Sequence, residues 1–251
     1  MPTKNLKPGY LVLVSLLFAA CEAGTSNTKY LEEDKILNEK IVPLVEKVLS
    51  PEERSQLTPD KIIAELKAGN ERFMRNNLTA RNHSKQIREA VYGQFPKAIV
   101  LTCIDSRIPV EDVFDRGIGD IFVARVGGNV LSEDILGSME YACKVAGAKL
   151  VLVLGHEHCE TILSAIDGID LGNITTMTSK IQPAIESITD FEGKKSSVNP
   201  EFVELVVKSN TDKTVNNIRE KSPILKQMED NGEIKIAGAY YDLNEGQVLF
   251  R

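Results

Sequence analysis

The chain has 251 residues, long enough for one sizeable domain with a substantial hydrophobic core. Its 36 acidic residues outnumber 30 basic ones, for a net charge of −6 at pH 7, and no basic stripe runs along it, which excludes the electrostatic footprint of a nucleic-acid binder. The cysteines, Cys21, Cys103, Cys143 and Cys159, are too sparse for a disulfide scaffold, and a chain of this size needs none.

Near the N-terminus Lys4 and Lys7 precede the apolar run Tyr10 to Ala20. That run falls well short of the roughly 20 residues a helix needs to cross a hydrocarbon core. It fits the apolar region of an export signal. Its end, Leu17-Phe18-Ala19-Ala20-Cys21, resembles the lipobox of bacterial lipoproteins, with Phe18 where Leu is usual. The resemblance implies cleavage before Cys21, acylation of its thiol, and an exported, periplasmic protein held to the membrane by an N-terminal lipid anchor. Three segments are therefore expected: a signal peptide over residues 1–20, a lipidated tether and helical arm over 21–55, and the main domain over 56–251.

Beyond the polar tether, Ile36, Ile41, Val42, Leu44, Val45 and Val48 recur at helical spacing, with Pro43 set to kink or split that helix. Thr58 before Pro59 and Asp60 predicts the N-cap and first turn of a second helix, carrying Ile62, Ile63, Leu66 and Phe73. The pattern then changes. Ala98–Thr102, Ile121–Ala124 and Leu150–Leu154 are continuous apolar runs, as expected of strands buried on both faces of a parallel sheet. A helix carrying Ile135, Leu136, Met139, Ala142, Cys143 and Ala146 separates the last two. Residues 173–230 read as mostly helical, broken by a polar loop at 192–200. Ile234–Tyr240 and Gln247–Phe250 flank Asn244-Glu245-Gly246 as a closing hairpin. The fold class expected is α/β: a mostly parallel central sheet flanked by helices, with an N-terminal helical arm and a C-terminal hairpin.

Cys103 falls immediately after the first apolar run, and His156 and Cys159 fall immediately after the third, past Gly155. In open α/β sheets chemistry collects at the carboxyl ends of strands, so two distant segments deliver soft metal ligands to one sheet edge. Thiolate and imidazole together favour zinc, and three protein ligands leave a fourth tetrahedral position open, the mark of a catalytic site. Asp105 and Arg107 stand two apart in the loop after Cys103, close enough to pair. Arg107 can grip the Asp105 carboxylate through paired N–H donors and keep it ionised.

These motifs, with Gly69-Asn70-Glu71-Arg72-Phe73, Gln94-x-Pro96, Phe114-Asp115-x-Gly117-x-Gly119-Asp120, Gly128-Asn129, Gly137-Ser138-x-Glu140-Tyr141 and Gly238-Ala239-x-Tyr241-Asp242, resemble the β-class carbonic anhydrases over roughly residues 60–251. The resemblance implies one Zn²⁺ per chain on Cys103, His156 and Cys159, an Asp105–Arg107 dyad, and reversible hydration of carbon dioxide to bicarbonate. It points to Gln94 and Phe122 as substrate-pocket residues. It also implies a homodimer or homotetramer in which a neighbouring subunit completes the site. Hydrolysis of CS₂ or COS on the same scaffold, and a zinc-binding lipoprotein with weakened catalysis, are the alternatives. Glu160 and Thr161 follow the last ligand where the family usually begins with Gly, bringing a Cβ and a charge near the metal. His158 reads as a proton shuttle or a solvated loop residue. Cys143 reads as a buried structural thiol, and Asp115, Arg116 and Asp120 as residues that fix loops and solvate the surface.

Overall fold

The computed structural model describes Val45 and residues 47–251. The export signal, Cys21, the tether and most of the expected helical arm lie outside the described residues. At the described end of that arm, Val45 makes an isolated bridge to Arg81 and residues 47–50 carry no helix.

Helix α1 (Pro51–Ser55) is opened by a capping box in which Ser50 and Glu53 bond each other's backbone N–H. It is held by contacts to residues far along the chain. The Arg54 guanidinium donates to the Ala146 carbonyl, and Lys149 Nζ donates to the carbonyls of Ser55 at 2.9 Å and Leu57 at 2.6 Å. Helix α2 (Pro59–Met74) begins as its sequence predicts, with the Thr58 side chain accepting from the Lys61 N–H and Pro59 in the first turn.

The sheet runs in the order β2-β1-β3-β4-β5, with β1 (Ala98–Thr102), β2 (Ile121–Arg125), β3 (Leu150–His156) and β4 (Lys235–Tyr241) parallel and β5 (Val248–Phe250) antiparallel to β4. Side chains alternate across a strand, and the apolar runs serve both faces. Val100, Leu152 and Leu154 pack with Ile62 and Leu66 of α2 on one face. Ile99, Leu101, Val151 and Val153 pack on the other with Met139, Ile218 and Leu225. Those three come from α5 (Glu133–Glu140), α9 (Pro200–Lys221) and α10 (Pro223–Asp230), which cover that second face. The helix that starts as α5 continues as a π-helical turn over Tyr141–Val145, where Cys143 is buried and desolvation pushes its thiol up to about 12.

One expectation fails in part. Residues Ile121–Ala124 read as buried on both faces, but β2 is the outer strand and each of these four is only half-buried. It has β1 on one flank and, among the described residues, no strand on the other.

Asp115 also departs from its expected surface role. It does fix a loop, at φ +50, but it is fully buried. Arg72 from α2 and Arg81 both ion-pair with it, while Thr79 donates through its N–H at 3.1 Å and its hydroxyl at 2.6 Å. Burial alone would raise this carboxyl, but donation from Thr79, Arg81 and Arg72 outweighs it and holds the group down at about 2. An aspartate in the unfolded chain titrates near 3.9. The stabilisation is therefore complete above about pH 4 and is lost as pH falls towards about 2. Asp115→Asn is expected to destabilise the fold by about 3–5 kcal/mol at pH 7, by leaving buried guanidinium charge uncompensated. The deficit against wild type should shrink near pH 2. Urea unfolding at the two pH values checks this, and an equal deficit at both would contradict it.

Candidate metal centre

The site sits at the carboxyl ends of β1 and β3. Cys103 is the first residue past β1, His156 is the last residue of β3, and Cys159 is the N-cap of α6 (Glu160–Ile166). The close approach of α9 fixes the end of β3. A Cβ on Gly155 would lie 2.4 Å from the Thr211 hydroxyl and 3.0 Å from Val207, so only glycine lets helix and strand meet there. All three side chains are buried above a cluster that includes Ile162, Ile181, Phe202 and Val206.

One ligand atom from each of Cys103, His156 and Cys159 lies within 4.8 Å of the others, and these three are the candidate metal-holding group among the described residues. The sulfurs stand 3.8 Å apart, with the Cys159 thiol donating to Cys103. That donation is the main reason the Cys103 thiol is pulled down to about 4, and the same bond, with burial behind it, pushes Cys159 up. Backbone N–H groups of Thr161 and Ile162, at the start of α6, also face the Cys159 sulfur.

His156 completes the set. Its Nδ1 lies 2.8 Å from the Glu157 carbonyl, which can only accept, so Nδ1 carries the hydrogen and Nε2 presents its lone pair. That Nε2 is fully buried and has no hydrogen-bond partner. An orphaned buried acceptor facing two sulfurs fits a soft divalent cation.

The carbonic anhydrase family matches residues 98–248, and every residue of this site falls within that span. The chain belongs to the carbonic anhydrase family. Carbonic anhydrase 2 of Mycobacterium tuberculosis is 30% identical over 192 residues, covering 74% of this chain and 89% of that protein. The carbonic anhydrase of Mycolicibacterium smegmatis is 31% identical over 189 residues, covering 74% and 90%. Among solved structures, a tetrameric β-carbonic anhydrase of the ascomycete Sordaria macrospora superposes with a TM-score of 0.57 at 21% identity, over 65% of this chain and 84% of that one. The fold is that of the β-carbonic anhydrases.

In this member of the family Asp105 and Arg107 are paired. Arg107 Nε and its backbone N–H each donate to Asp105 Oδ1 at 2.9 Å, and Nη2 donates to Oδ2 at 2.5 Å. The Arg107 side chain thereby holds the Asp105 carboxyl down at about 2. Asp105 Oδ2 lies 3.8 Å from His156 Nε2, so the ionised carboxylate borders the candidate metal-holding group. Arg107 Nη2 also donates to the His158 carbonyl at 3.0 Å, which ties the pair to the short link between His156 and Cys159. His158 itself is exposed, at φ +48, with Nε2 3.5 Å from Glu157 Oε1. Glu160 is exposed at the first position of α6.

Gln94 and Phe122 are not brought to this cluster. Gln94 is exposed on the loop that enters β1, at the opposite end of the strand from Cys103. Phe122 pairs in register with Ile99, four residues and so about 13 Å short of Cys103 along the sheet. It lines a concave surface of about 730 Å³ with Ile99, Ala124, Ile135 and Tyr141.

Two further groups support the cluster, and neither is marked in the sequence for the role it plays. Arg125, at the end of β2, donates to the carbonyls of Cys103 at 2.9 Å and Asp105 at 3.3 Å and also reaches the carbonyl of Ile108, so it shapes the ligand loop. Gly128, at φ +67, donates its N–H to Cys103 Sγ at 3.3 Å. The Gly128-Asn129 motif flagged this turn, but nothing local marks it as a donor to sulfur.

Proposed function

We propose that the chain is a zinc enzyme catalysing reversible hydration of carbon dioxide to bicarbonate and a proton. The observation that carries the proposal is the buried, unpartnered Nε2 of His156, on a ring that offers a ligand atom within 4.8 Å of two cysteine sulfurs. Zinc bound by Cys103, His156 and Cys159 would acidify a water and so furnish the nucleophile at neutral pH. The chain's own contribution is orientation. Asp105, kept ionised by Arg107, accepts a hydrogen bond from the attacking water and aims its lone pair at the carbon of the substrate. Arg107 holds the carboxylate by its fork, and Arg125 and Gly128 keep the Cys103 loop in place. Both bacterial relatives are carbonic anhydrases, which favours this reading over hydrolysis of CS₂ or COS.

Gln94 and Phe122 serve, in this proposal, the site of a neighbouring subunit in a homodimer or homotetramer. The half-buried outer strand β2 supports it, since its outer flank, bare of strands among the described residues, and the concave surface beside it lined by Phe122, Ile135 and the exposed Tyr141 need cover. The proposal extends to the N-terminus: cleavage after residue 20, acylation of Cys21, a tether through residue 55 and a catalytic domain over 56–251, held to the periplasmic face of a membrane.

The test uses the full chain expressed in a bacterium and purified in detergent. It is expected to contain about one zinc per chain, to accelerate CO₂ hydration in a stopped-flow indicator assay, and to run above monomer mass by light scattering. Zinc-replete protein that leaves the hydration rate at the buffer value would refute the enzymatic reading. A monomeric mass would remove the shared site, and an intact residue 1–20 segment by mass spectrometry would remove the anchor.

A further inference from the structure

Glu160-Thr161 replaces the glycine-led turn that usually follows the last ligand, and the threonine has a specific place in the site. Its hydroxyl lies 3.9 Å from Cys103 Sγ, and among the described residues it has no other hydrogen-bond partner. The Gly128 N–H reaches the same sulfur at 3.3 Å. The Thr161 hydroxyl and the Gly128 N–H thus approach the Cys103 sulfur from different elements, α6 and the turn after β2.

The approach of Thr161 is built into the fold. A Cβ on Gly127 would lie 3.0 Å from the Thr161 hydroxyl, and a Cβ on Gly128 would lie 3.3 Å from its methyl. The two glycines clear the space in which this side chain sits, hydroxyl towards the sulfur and methyl against the turn. A threonine on a helix divides between two χ1 rotamers, and in this structure the one that turns the methyl towards Gly128 and the hydroxyl towards Cys103 is adopted. With Cys103 as a thiolate, the sulfur can only accept and the hydroxyl must donate.

We infer that Thr161 is a positioning residue whose hydroxyl, acting with the Gly128 N–H, draws electron density from the Cys103 sulfur and so weakens its donation to the metal. The inference rests on the metal reading given above. Two thiolates deliver two negative charges to the ion and blunt its ability to acidify water. Hydrogen bonds to a ligating sulfur counter that, as outer contacts do at other cysteine–metal sites. Thr161 thereby offsets part of the charge that the Cys-His-Cys set imposes.

The test replaces zinc by cobalt in the full chain and reads the sulfur-to-cobalt charge-transfer band. Thr161→Val keeps the shape and removes the donor, and Thr161→Ser keeps the donor. Thr161→Val is expected to move the band to longer wavelength, because a sulfur without its hydrogen bond gives up electrons more readily. Thr161→Ser is expected to return it to the wild-type position. A band in Thr161→Val that coincides with wild type, or a Thr161→Ser band that stays with the valine variant, overturns this inference alone. A wild-type chain that takes up no cobalt and shows no such band overturns the metal reading itself.

Discussion

Replacing His156 by alanine is expected to leave the chain with almost no bound zinc and no measurable hydration of carbon dioxide. The imidazole supplies the one nitrogen of the set, and its lone pair is aimed by the Nδ1 contact to the Glu157 carbonyl. With Nε2 gone, two sulfurs 3.8 Å apart remain, and the Cys159 thiol again donates to Cys103 instead of both facing a cation. Two ligands do not close a tetrahedral zinc site with one open corner. The substitution also empties a fully buried position at the end of β3, so the comparison needs a control for folding. Cys159→Ser provides it, because serine nearly conserves volume while its hydroxyl is a poor ligand for a soft cation. Metal analysis after dialysis, beside far-ultraviolet circular dichroism, decides the matter. Stoichiometric zinc retained by both folded variants would place the ion elsewhere.

Much of this centre is visible along the chain because its parts obey local rules. Ala98–Thr102 and Leu150–Leu154 are uninterrupted apolar runs, and they form the two fully buried strands. The residues that follow such strands collect at one sheet edge, which is why Cys103, His156 and Cys159 could be brought together on paper. The Asp105–Arg107 pair is likewise local, two residues apart in one loop. What escapes is whatever depends on distant partners. Ile121–Arg125 has the same composition as the buried strands, yet lies outermost, because strand order is a property of the whole sheet. Asp115 sits in a stretch rich in glycine and charge that reads as surface, and its burial is made tolerable by Arg72 and Arg81, 43 and 34 residues away. Gln94 and Phe122 match their motifs, but a motif does not say which chain's site they serve, and within this chain they lie away from the Cys103 end of β1. Thr161 stands out in the sequence only by following Glu160 after the last candidate ligand, and its closeness to the Cys103 sulfur shows only when the turn at Gly127 and Gly128 is laid against it.

Changing Asp105 to asparagine is expected to lower kcat/KM for hydration by about 10²–10⁴-fold while zinc stays at about one per chain. Asparagine has nearly the same shape, and residue 105 does not belong to the ligand cluster, so the metal should not depend on it. What is lost is an anion beside the ion position. The wild-type carboxyl is held at about 2 by Arg107 and is ionised throughout the neutral range. It can therefore always accept a hydrogen bond at Oδ2, 3.8 Å from His156 Nε2. A neutral amide accepts more weakly, and if its nitrogen takes the Oδ2 position it meets both Arg107 and the water as a donor. Arg107 acts one step further back. Arg107→Lys keeps the positive charge but loses the fork that bonds both carboxylate oxygens, so a smaller fall of about 10–100-fold is expected. Because Arg107 works through Asp105, the two losses should not add. The double variant Asp105→Asn, Arg107→Lys is expected to hydrate carbon dioxide no more slowly than Asp105→Asn alone. Stopped-flow rates on zinc-quantified preparations test the series. Additive losses would mean that Arg107 meets substrate or product directly, and a double variant close to wild type would remove the dyad from the mechanism.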